Sequence, residues 1–395
     1  MSRTAAHKGR ETYEPRETMP PKRKISDDRR GGRAAKLPAP PPGKQHLYLL
    51  LDDWDRGYSV FKLDVDSFDS DADADDLPPP KRFAEPPVAR IEAPHLRHCG
   101  FVSHGTKIFA MQPGEGSPAI PAFDTHTLAL TVCPWPSFHR DYGWPLFASA
   151  AGKLFLFIHD LAEYLGDPPP HGGKTPWSWT AIRARPPFYT FQVSCCALHP
   201  DGRTLFVSAR QSDRSPAQGT FSFDADRLEW TRHGDWLLPF AGQAYFDAEL
   251  DAWVGLCGER DGGAGHLCSC DVTPVAAELT SPPSCNLLEE KLFRKEPGLH
   301  LSAKLVYMGD SKFCLVELLL HKDDEHVRGG RAKADGDGER RLPRRRRRVL
   351  SVTTFGLKYN RKAQLQTTLR RARACKVYNQ AQDAWQSVDP LAFWL

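Results

Sequence analysis

The sequence predicts an all-β fold, a β-propeller of six blades, and three observations predict it. Proline (34), glycine (30) and tryptophan (10) are abundant, and Pro and Gly punctuate turns while breaking helix interiors. An aromatic residue followed by Asp or Asn, with a bulky side chain seven residues after the aromatic, recurs along the chain. A second pattern, two short apolar strands around a tight turn, returns at a spacing of roughly fifty residues, the range of one propeller blade.

Residues 1–43 are rich in Lys, Arg, Pro and Gly with almost no large apolar side chains. They cannot bury enough surface to offset chain entropy, so a disordered basic tail is expected there. The folded domain is expected over 44–395, beginning with a hairpin made of HLYLLLDD and YSVFKLDV. FVSHGTKIFAM at Phe101, FASAAGKLFLF at Phe147, CALHPDGRTLFVS at Cys196 and VYMGDSKFCLV at Val306 each read as strand, glycine-bearing turn, strand. Gly105, Gly152 and Gly202 fall about one unit apart, and AYFDAELDAWVGL at Ala244 keeps the register without glycine. Six units follow, beginning near His46, Phe101, Leu146, Val193, Gln243 and Leu301. Charged loop insertions are expected at 69–80, 159–177 and 321–348, the last lengthening the sixth unit.

The aromatic pattern has a local meaning. Phe223-Asp224 precedes Trp230, Phe246-Asp247 precedes Trp253, Tyr378-Asn379 precedes Trp385, and Phe123-Asp124 precedes Leu130 at the same offset. The aromatic ends one strand, Asp or Asn makes the turn, and the bulky residue anchors the returning strand. Phe223, Trp230, Phe246, Trp253, Tyr378 and Trp385 are therefore the expected blade anchors. A β-sandwich also gives short strands joined by turns, but it does not predict the fifty-residue period.

Net charge is +4 and unevenly spread. No run of about eighteen apolar residues occurs, and the polar start MSRTAAHKGRETYEPRET does not read as a secretory signal. Nuclear or cytoplasmic residence without a membrane partner is expected, with the ten cysteines kept mostly reduced.

Candidate sites are few. His266, Cys268 and Cys270 alternate, so a strand would place them on one face, with Cys257 and Cys285 nearby to complete a zinc site. The competing and preferred reading is a half-buried strand with cysteines as small hydrophobes, because no Cys-x-x-Cys knuckle is present. Asp69 to Asp76 lacks the sixth-position glycine and closing glutamate of a calcium loop, so it reads as a solvated loop; Ser70 within it is a candidate phosphorylation site. Neither a nucleophile elbow nor a phosphate loop is found. Cys195 and Cys196 sit in an apolar strand pattern and read as core. Asp52, Asp53, Asp55 and Glu249 are carboxylates available to a central channel, but no spacing singles them out. No catalytic residue, cofactor or metal is expected.

Two basic segments remain. In PPKRKISDDRRGGR, Lys22, Arg23, Lys24, Arg29 and Arg30 form a candidate nuclear-import signal, and LPRRRRRV at Leu342 concentrates five arginines at a loop edge. Without interleaved aromatics, any nucleic-acid binding would be nonspecific and salt-sensitive.

FDADRLEW and YNQAQDAW resemble the aromatic, polar turn and tryptophan of kelch-type propellers, although the double glycine that usually precedes them is missing. A wider likeness runs through LYLLLDDWDRGYSVFKLDVDSFDSD, AFDTHTLALTVCPWP, HPDGRTLFVSA and LEWTRHGDWLLPFAGQAYFDAELDAWVGLC. In these stretches the chain resembles a grass-expanded plant family of kelch-like proteins, the domain of unknown function 1668, over roughly residues 43–390. The resemblance implies no catalytic residue. It also implies a start at Met19, before MPPKRK, with residues 1–18 as a gene-model extension. The functional expectation is a non-enzymatic protein-interaction scaffold presenting loops on a propeller. The alternative is an enzyme or a small-molecule or carbohydrate binder that uses the central channel.

Overall fold

A strand alternates its side chains between two faces, so a strand that is apolar at nearly every position needs a partner on both. KIFAM, KLFLFI, TLFVSA, AWVGLC and KFCLVELLL are strands of that kind. The computed structural model describes residues 44–395 except 55, 71–79, 93–99, 112–118, 138–144, 159–160, 170–173, 175, 213–217, 259–264, 277–281, 294–298, 321–345 and 380–389, and leaves the side chains at 69, 70, 346, 347, 378 and 379 undescribed. Within those residues the fold is all-β, and its only helical turns are the three-residue 3-10 segments Val65–Ser67 and Thr190–Gln192.

The first sheet holds β1 (Leu47–Trp54) and β2 (Gly57–Leu63). Two short strands that pair elsewhere follow, β3 (Asp69–Ser70) and β4 (Lys81–Arg82), and then β5 (Ala89–Glu92) completes the outer side. The second sheet is the meander β6 (Gly100–His104), β7 (Lys107–Met111), β8 (Ile120–Asp124), β9 (Leu130–Cys133). The third is β10 (Leu146–Ala150), β11 (Lys153–Ile158), β12 (Leu161–Leu165), β13 (Trp179–Ile182).

The fourth sheet is double. One meander is β14 (Val193–Leu198), β15 (Thr204–Ala209), β16 (Gly219–Asp224), β17 (Glu229–Gly234). The other is β18 (Phe240–Asp247), β19 (Ala252–Cys257), β20 (Leu267–Asp271), β21 (Cys285–Leu287). Their first strands, β14 and β18, pair in parallel through Cys195↔Gly242 to Ala197↔Ala244, giving eight strands in one sheet. A register shift in β18 between Ala241 and Tyr245 makes this possible, with Gly242 at φ +76°, a bulge geometry that suits glycine. The last sheet is β22 (His300–Gly309), β23 (Lys312–Leu320), β24 (Arg346–Tyr359), β25 (Leu365–Asn379), with β3 and β4 both on the outer edge of β25. Finally β26 (Leu391–Trp394) returns to pair antiparallel with β1, through Leu47↔Trp394 to Leu50↔Leu391.

Six apolar clusters hold these sheets together, each lying between neighbours. Tyr48, Val60, Phe101, Ile108 and Phe123 join the first sheet to the second. Phe109, Ile120, Leu154 and Leu165 join the second to the third, and Phe155, Phe157, Val207 and Phe223 join the third to the β14 meander. Cys195, Phe206, Phe240 and Trp253 fill the space between the two meanders of the fourth sheet. Val254, Leu256, Phe313 and Leu315 join the β18 meander to the last sheet. The sixth cluster, with Leu47, Leu49, Cys314, Val316 and Val352, packs the last sheet on the first.

Parity in single strands explains the pattern. In β1, Leu47 and Leu49 face the last sheet while Tyr48 and Leu50 face the second. In β23, Phe313 and Leu315 face one neighbour while Cys314 and Val316 face the other. Aromatic donors bridge the same interfaces. Trp179 Nε1 donates to Pro134 O at 2.8 Å, Trp230 Nε1 to Ala184 O at 3.2 Å, and Trp253 Nε1 to Leu198 O at 2.9 Å. Tyr48 Oη donates to Thr125 O at 3.2 Å and Tyr245 Oη to Leu305 O at 3.1 Å.

Three sequence expectations need correction. The stretch 159–177 was expected as an inserted loop, yet it contains β12, whose Ala162 and Leu165 are core residues; the strand is too short to stand out beside the prolines that follow. Asp69–Ser70 was read as loop and instead forms β3, which pairs with Arg371 and Ala372. The arginine run was read as a loop edge. Its last three residues begin β24, and Arg348 is buried, opposite Leu320 and Val377.

Trp253 is fully buried between the two meanders and bonded across them. Trp253→Ala is expected to lower unfolding free energy by about 3–5 kcal/mol, read as a fall in the urea midpoint. A loss under about 1 kcal/mol would mean that this interface is not a principal core.

Candidate functional site

The residues singled out as blade anchors turn out to be cross-strand pairs. Phe223 lies opposite Trp230 in β16 and β17, and Phe246 lies opposite Trp253 in β18 and β19. Phe123 and Leu130 are paired in the same way in β8 and β9. The intervening Asp builds each turn. Asp124 Oδ1 accepts from His126 N (2.9 Å) and Thr127 N (3.2 Å), Asp224 Oδ1 from Asp226 N (2.9 Å) and Arg227 N (3.0 Å), and Asp247 Oδ1 from Glu249 N (3.1 Å) and Leu250 N (2.9 Å). Each turn then passes through a left-handed residue, Leu128 (φ 58°), Leu228 (φ 59°) or Asp251 (φ 49°). The seven-residue offset is thus the span of an Asx-stabilised hairpin loop. Asn360 builds another such turn, with Oδ1 accepting from Lys362 N and Gln364 N, which the sequence pattern did not single out. Tyr378 falls in β25, while Trp385 lies outside the described residues. So do Asp55 and the import residues Lys22, Arg23, Lys24, Arg29 and Arg30.

A cavity of about 350 Å³ opens where β14 begins, β15 ends and β18 begins. Its walls include Phe191, Gln192, Ser194, Arg210, Ser212 and Ala241. Gln192 holds the two loops together: its Nε2 donates to Arg210 O at 2.8 Å, and Arg210 N donates to Gln192 O at 2.9 Å. Tyr189 N donates to Gln192 Oε1 at 2.9 Å, completing the clamp. Arg210 Nε and Ser212 Oγ are buried atoms without a hydrogen-bond partner among the described residues. Phe191, 41% exposed and stacked on Tyr189, forms an apolar wall. An arginine in the wall beside an aromatic ring suits a small anion attached to an apolar or planar body. RQSDRSPAQ reads only as a polar loop, so no sequence signal marked this place.

The other sequence candidates do not assemble into a reactive centre. His266 Nδ1 is engaged with Leu288 O at 2.9 Å, and Cys268 and Cys270 pack in the core between the two meanders. Among the described residues no group of three His, Cys, Asp or Glu side chains is placed to hold a metal. Burial pushes the Cys195 thiol up to about 11 and the Cys196 thiol up to about 12, so neither is a ready nucleophile. Cys195 faces β18 and Cys196 packs toward the third sheet. Glu249 accepts from Ser311 Oγ at 2.9 Å in the turn after β18, far along the chain from Asp52 and Asp53 at the end of β1. Along the first strands, His104 Nδ1 meets Ser149 Oγ at 2.8 Å, tying β6 to β10.

An all-β chain of serially packed sheets, carrying a small cavity of mixed polar and apolar lining at one end of its first strands, is the class of protein that this geometry defines. Residues 44–376 match the family described as "Protein of unknown function (DUF1668)", and the chain belongs to that family. No curated protein matches it. Similar solved structures include hydrazine synthase of Kuenenia stuttgartiensis, 11% identical over 68% of this chain and 64% of that one, with a TM-score of 0.36. Hsv2 of Kluyveromyces lactis is 10% identical over 83% of this chain and 99% of that one, at 0.32. The tricorn protease is 8% identical over 90% of this chain and 36% of that one, at 0.35. The chain therefore spans less than two thirds of the hydrazine synthase chain. No described helix is long and apolar enough to cross a membrane.

Among the described residues, His46, His104 and His300 have depressed pKa values, each chiefly because burial disfavours the cation. The unfolded chain therefore takes up these protons first. Their contribution to stability is fully present above the unfolded value of 6.5 and is lost as pH falls from there through the lower folded values. The urea midpoint is expected to drop between pH about 8 and pH about 5.5, and His104→Gln should shrink that drop. An unchanged midpoint across this range would contradict the assignment.

Proposed function

We propose that the chain is a kelch-like β-propeller of six blades that acts as a non-enzymatic scaffold for protein partners in the nucleus or cytoplasm. The six inter-sheet cores, the last of them joining the final sheet to the first, support a closed radial arrangement. The parallel pairing of β14 with β18 supports placing the first strands around a common axis. The basic stretch with Lys22, Arg23, Lys24, Arg29 and Arg30 supports import into the nucleus.

The outer edge of β9 carries the interaction reading. Sheet edges are normally blunted by charge or by cover. Among the other outer strands, β5 presents Arg90 and Glu92, β17 presents Glu229 and Arg232, and β25 is covered by β3 and β4. β9 (LTVC), β13 (WTAI) and β21 (CNL) have no charged residue, and of these three only β9 exposes more than one large apolar side chain. Leu128, Leu130 and Val132 at this edge are 52%, 58% and 67% exposed. An extended peptide adding as one more strand would meet unpaired main-chain groups and a row of apolar side chains. Full-length protein presented to a displayed peptide library is expected to select extended peptides with alternating apolar residues. The double change Leu130→Lys with Val132→Lys should weaken them at least about tenfold, or ~1.4 kcal/mol, without moving the urea midpoint. Peptides that bind the double variant equally well would overturn the reading.

The cavity at Arg210 favours a second reading, a small-molecule binder taking a carboxylate or phosphate. A thermal-shift screen of such compounds should yield a stabilising ligand whose effect disappears in Arg210→Met. A screen with no Arg210-dependent shift removes it.

A further inference from the structure

Two thiols oppose each other at the outer edge of the β18 meander. The register of β20 and β21 sets Cys270 directly across from Cys285. Ladder bonds run through their neighbours, with Asp271 N donating to Ser284 O at 3.0 Å and Leu288 N to Leu267 O at 2.8 Å. Bonded and non-bonded pairs alternate along an antiparallel ladder, so Cys270 and Cys285 form a non-hydrogen-bonded pair. In such a pair the Cα atoms stand ~4.5 Å apart and the side chains are closest. A disulfide spans Cα separations of ~4.4–6.8 Å. The backbone is already in place for one, and both thiols are free.

The surroundings give the two sulfurs different roles. Cys285 is exposed on a three-residue edge strand, whereas Cys270 is 1% exposed in the core. We propose that Cys285 is a hydroperoxide-reactive thiol and Cys270 its resolving partner, so that oxidation closes a disulfide between β20 and β21. In the reduced chain the Cys270 thiol donates to Asp271 O at 3.6 Å and the Cys285 thiol to Pro283 O at 3.3 Å, and the interaction between the two side chains holds the Cys285 thiol below its ordinary range and raises that of Cys270. The exposed sulfur is thus the nucleophile and the buried one keeps its proton until the second step.

Each step balances. The Cys285 thiolate attacks one oxygen of a hydroperoxide; an S–O bond forms, the O–O bond breaks, and the other oxygen leaves as alkoxide or hydroxide and takes up a proton. Cys285 is then a sulfenic acid. The Cys270 sulfur attacks that sulfur, an S–S bond forms, the S–O bond breaks, and hydroxide leaves as water with the Cys270 proton. Two thiols lose two electrons, and the peroxide bond receives them. Cys257, half-buried, also interacts with the buried Cys268, but Gly255 is the residue opposite Cys268, so that pair is diagonal and not directly opposed; Cys133, Cys314 and Cys375 are buried, and burial raises all three thiols, that of Cys133 to about 12.

The test uses the full-length reduced chain, hydrogen peroxide as oxidant, and alkylation after unfolding. Peroxide is expected to remove two alkylatable thiols per chain. Cys268, Cys270 and Cys285 have no Lys or Arg between them, so trypsin leaves them on one peptide. Cleavage after Glu278 separates Cys270 from Cys285, and the two fragments should stay joined until reductant is added. In Cys270→Ser, a sulfenic-acid trap should label Cys285 instead. In Cys285→Ser, thiol loss at Cys270 should slow at least tenfold. The proposal fails if both wild-type thiols remain alkylatable, if Cys285 couples instead to Cys257, to Cys268 or to a second chain, or if Cys270→Ser leaves its oxidation product unchanged.

Discussion

The constraint on which this structure depends is burial on both faces of the strands that run through the middle of each meander. β7, β11, β15, β19 and β23 present apolar residues to two neighbours at once. A fully buried Leu, Phe or Val is worth roughly 1.5–3 kcal/mol, and a meander standing alone would expose one whole set of these side chains. No sheet is therefore a stable unit by itself. Serial packing of sheet on sheet is the arrangement that satisfies all of them, and the cluster joining the last sheet to the first leaves neither with a bare face.

Polar groups have to be accommodated inside that packing, and large aromatics do so by combining an apolar body with a donor at the rim. Trp179, Trp230 and Trp253 each place an indole N–H on a carbonyl of the preceding sheet or meander. Tyr48 and Tyr245 reach forward in the same way. The Asp side chains at the hairpin ends complete the accounting by taking up turn N–H groups that no ladder reaches. Asp247 extends this role across an interface, since Ser311 N donates to it at 2.9 Å.

These features determine how much was legible in the sequence. The all-β class and the six unit starts follow from strand alternation and turn chemistry, both of which are local. Phe223 with Trp230 and Phe246 with Trp253 could be paired by offset alone, because an Asx hairpin fixes the distance between its flanks. The parallel pairing of β14 with β18 depends on a bulge at Gly242, which resembles any other glycine in a strand. β12 was hidden because five residues beside a proline run give little periodicity. The cavity could not be read at all, since Gln192, Arg210 and Ala241 come from three strand ends brought together only by the sheet. The cysteines were noticed as possible ligands, but pairing depends on the register between β20 and β21.

The pairing of β26 with β1 has a consequence for how the protein is made. Leu47 and Leu49 near the beginning of the fold are covered by residues from Val306 to Val377 and by Ala392. During synthesis, the first sheet must wait with one apolar face bare while the chain runs on from Leu63 to Val306 and beyond. Contacts of such sequence separation are slow to form and leave sticky intermediates. The nascent chain is therefore a natural client for chaperones, and its yield in a host cell depends on how long that face is shielded.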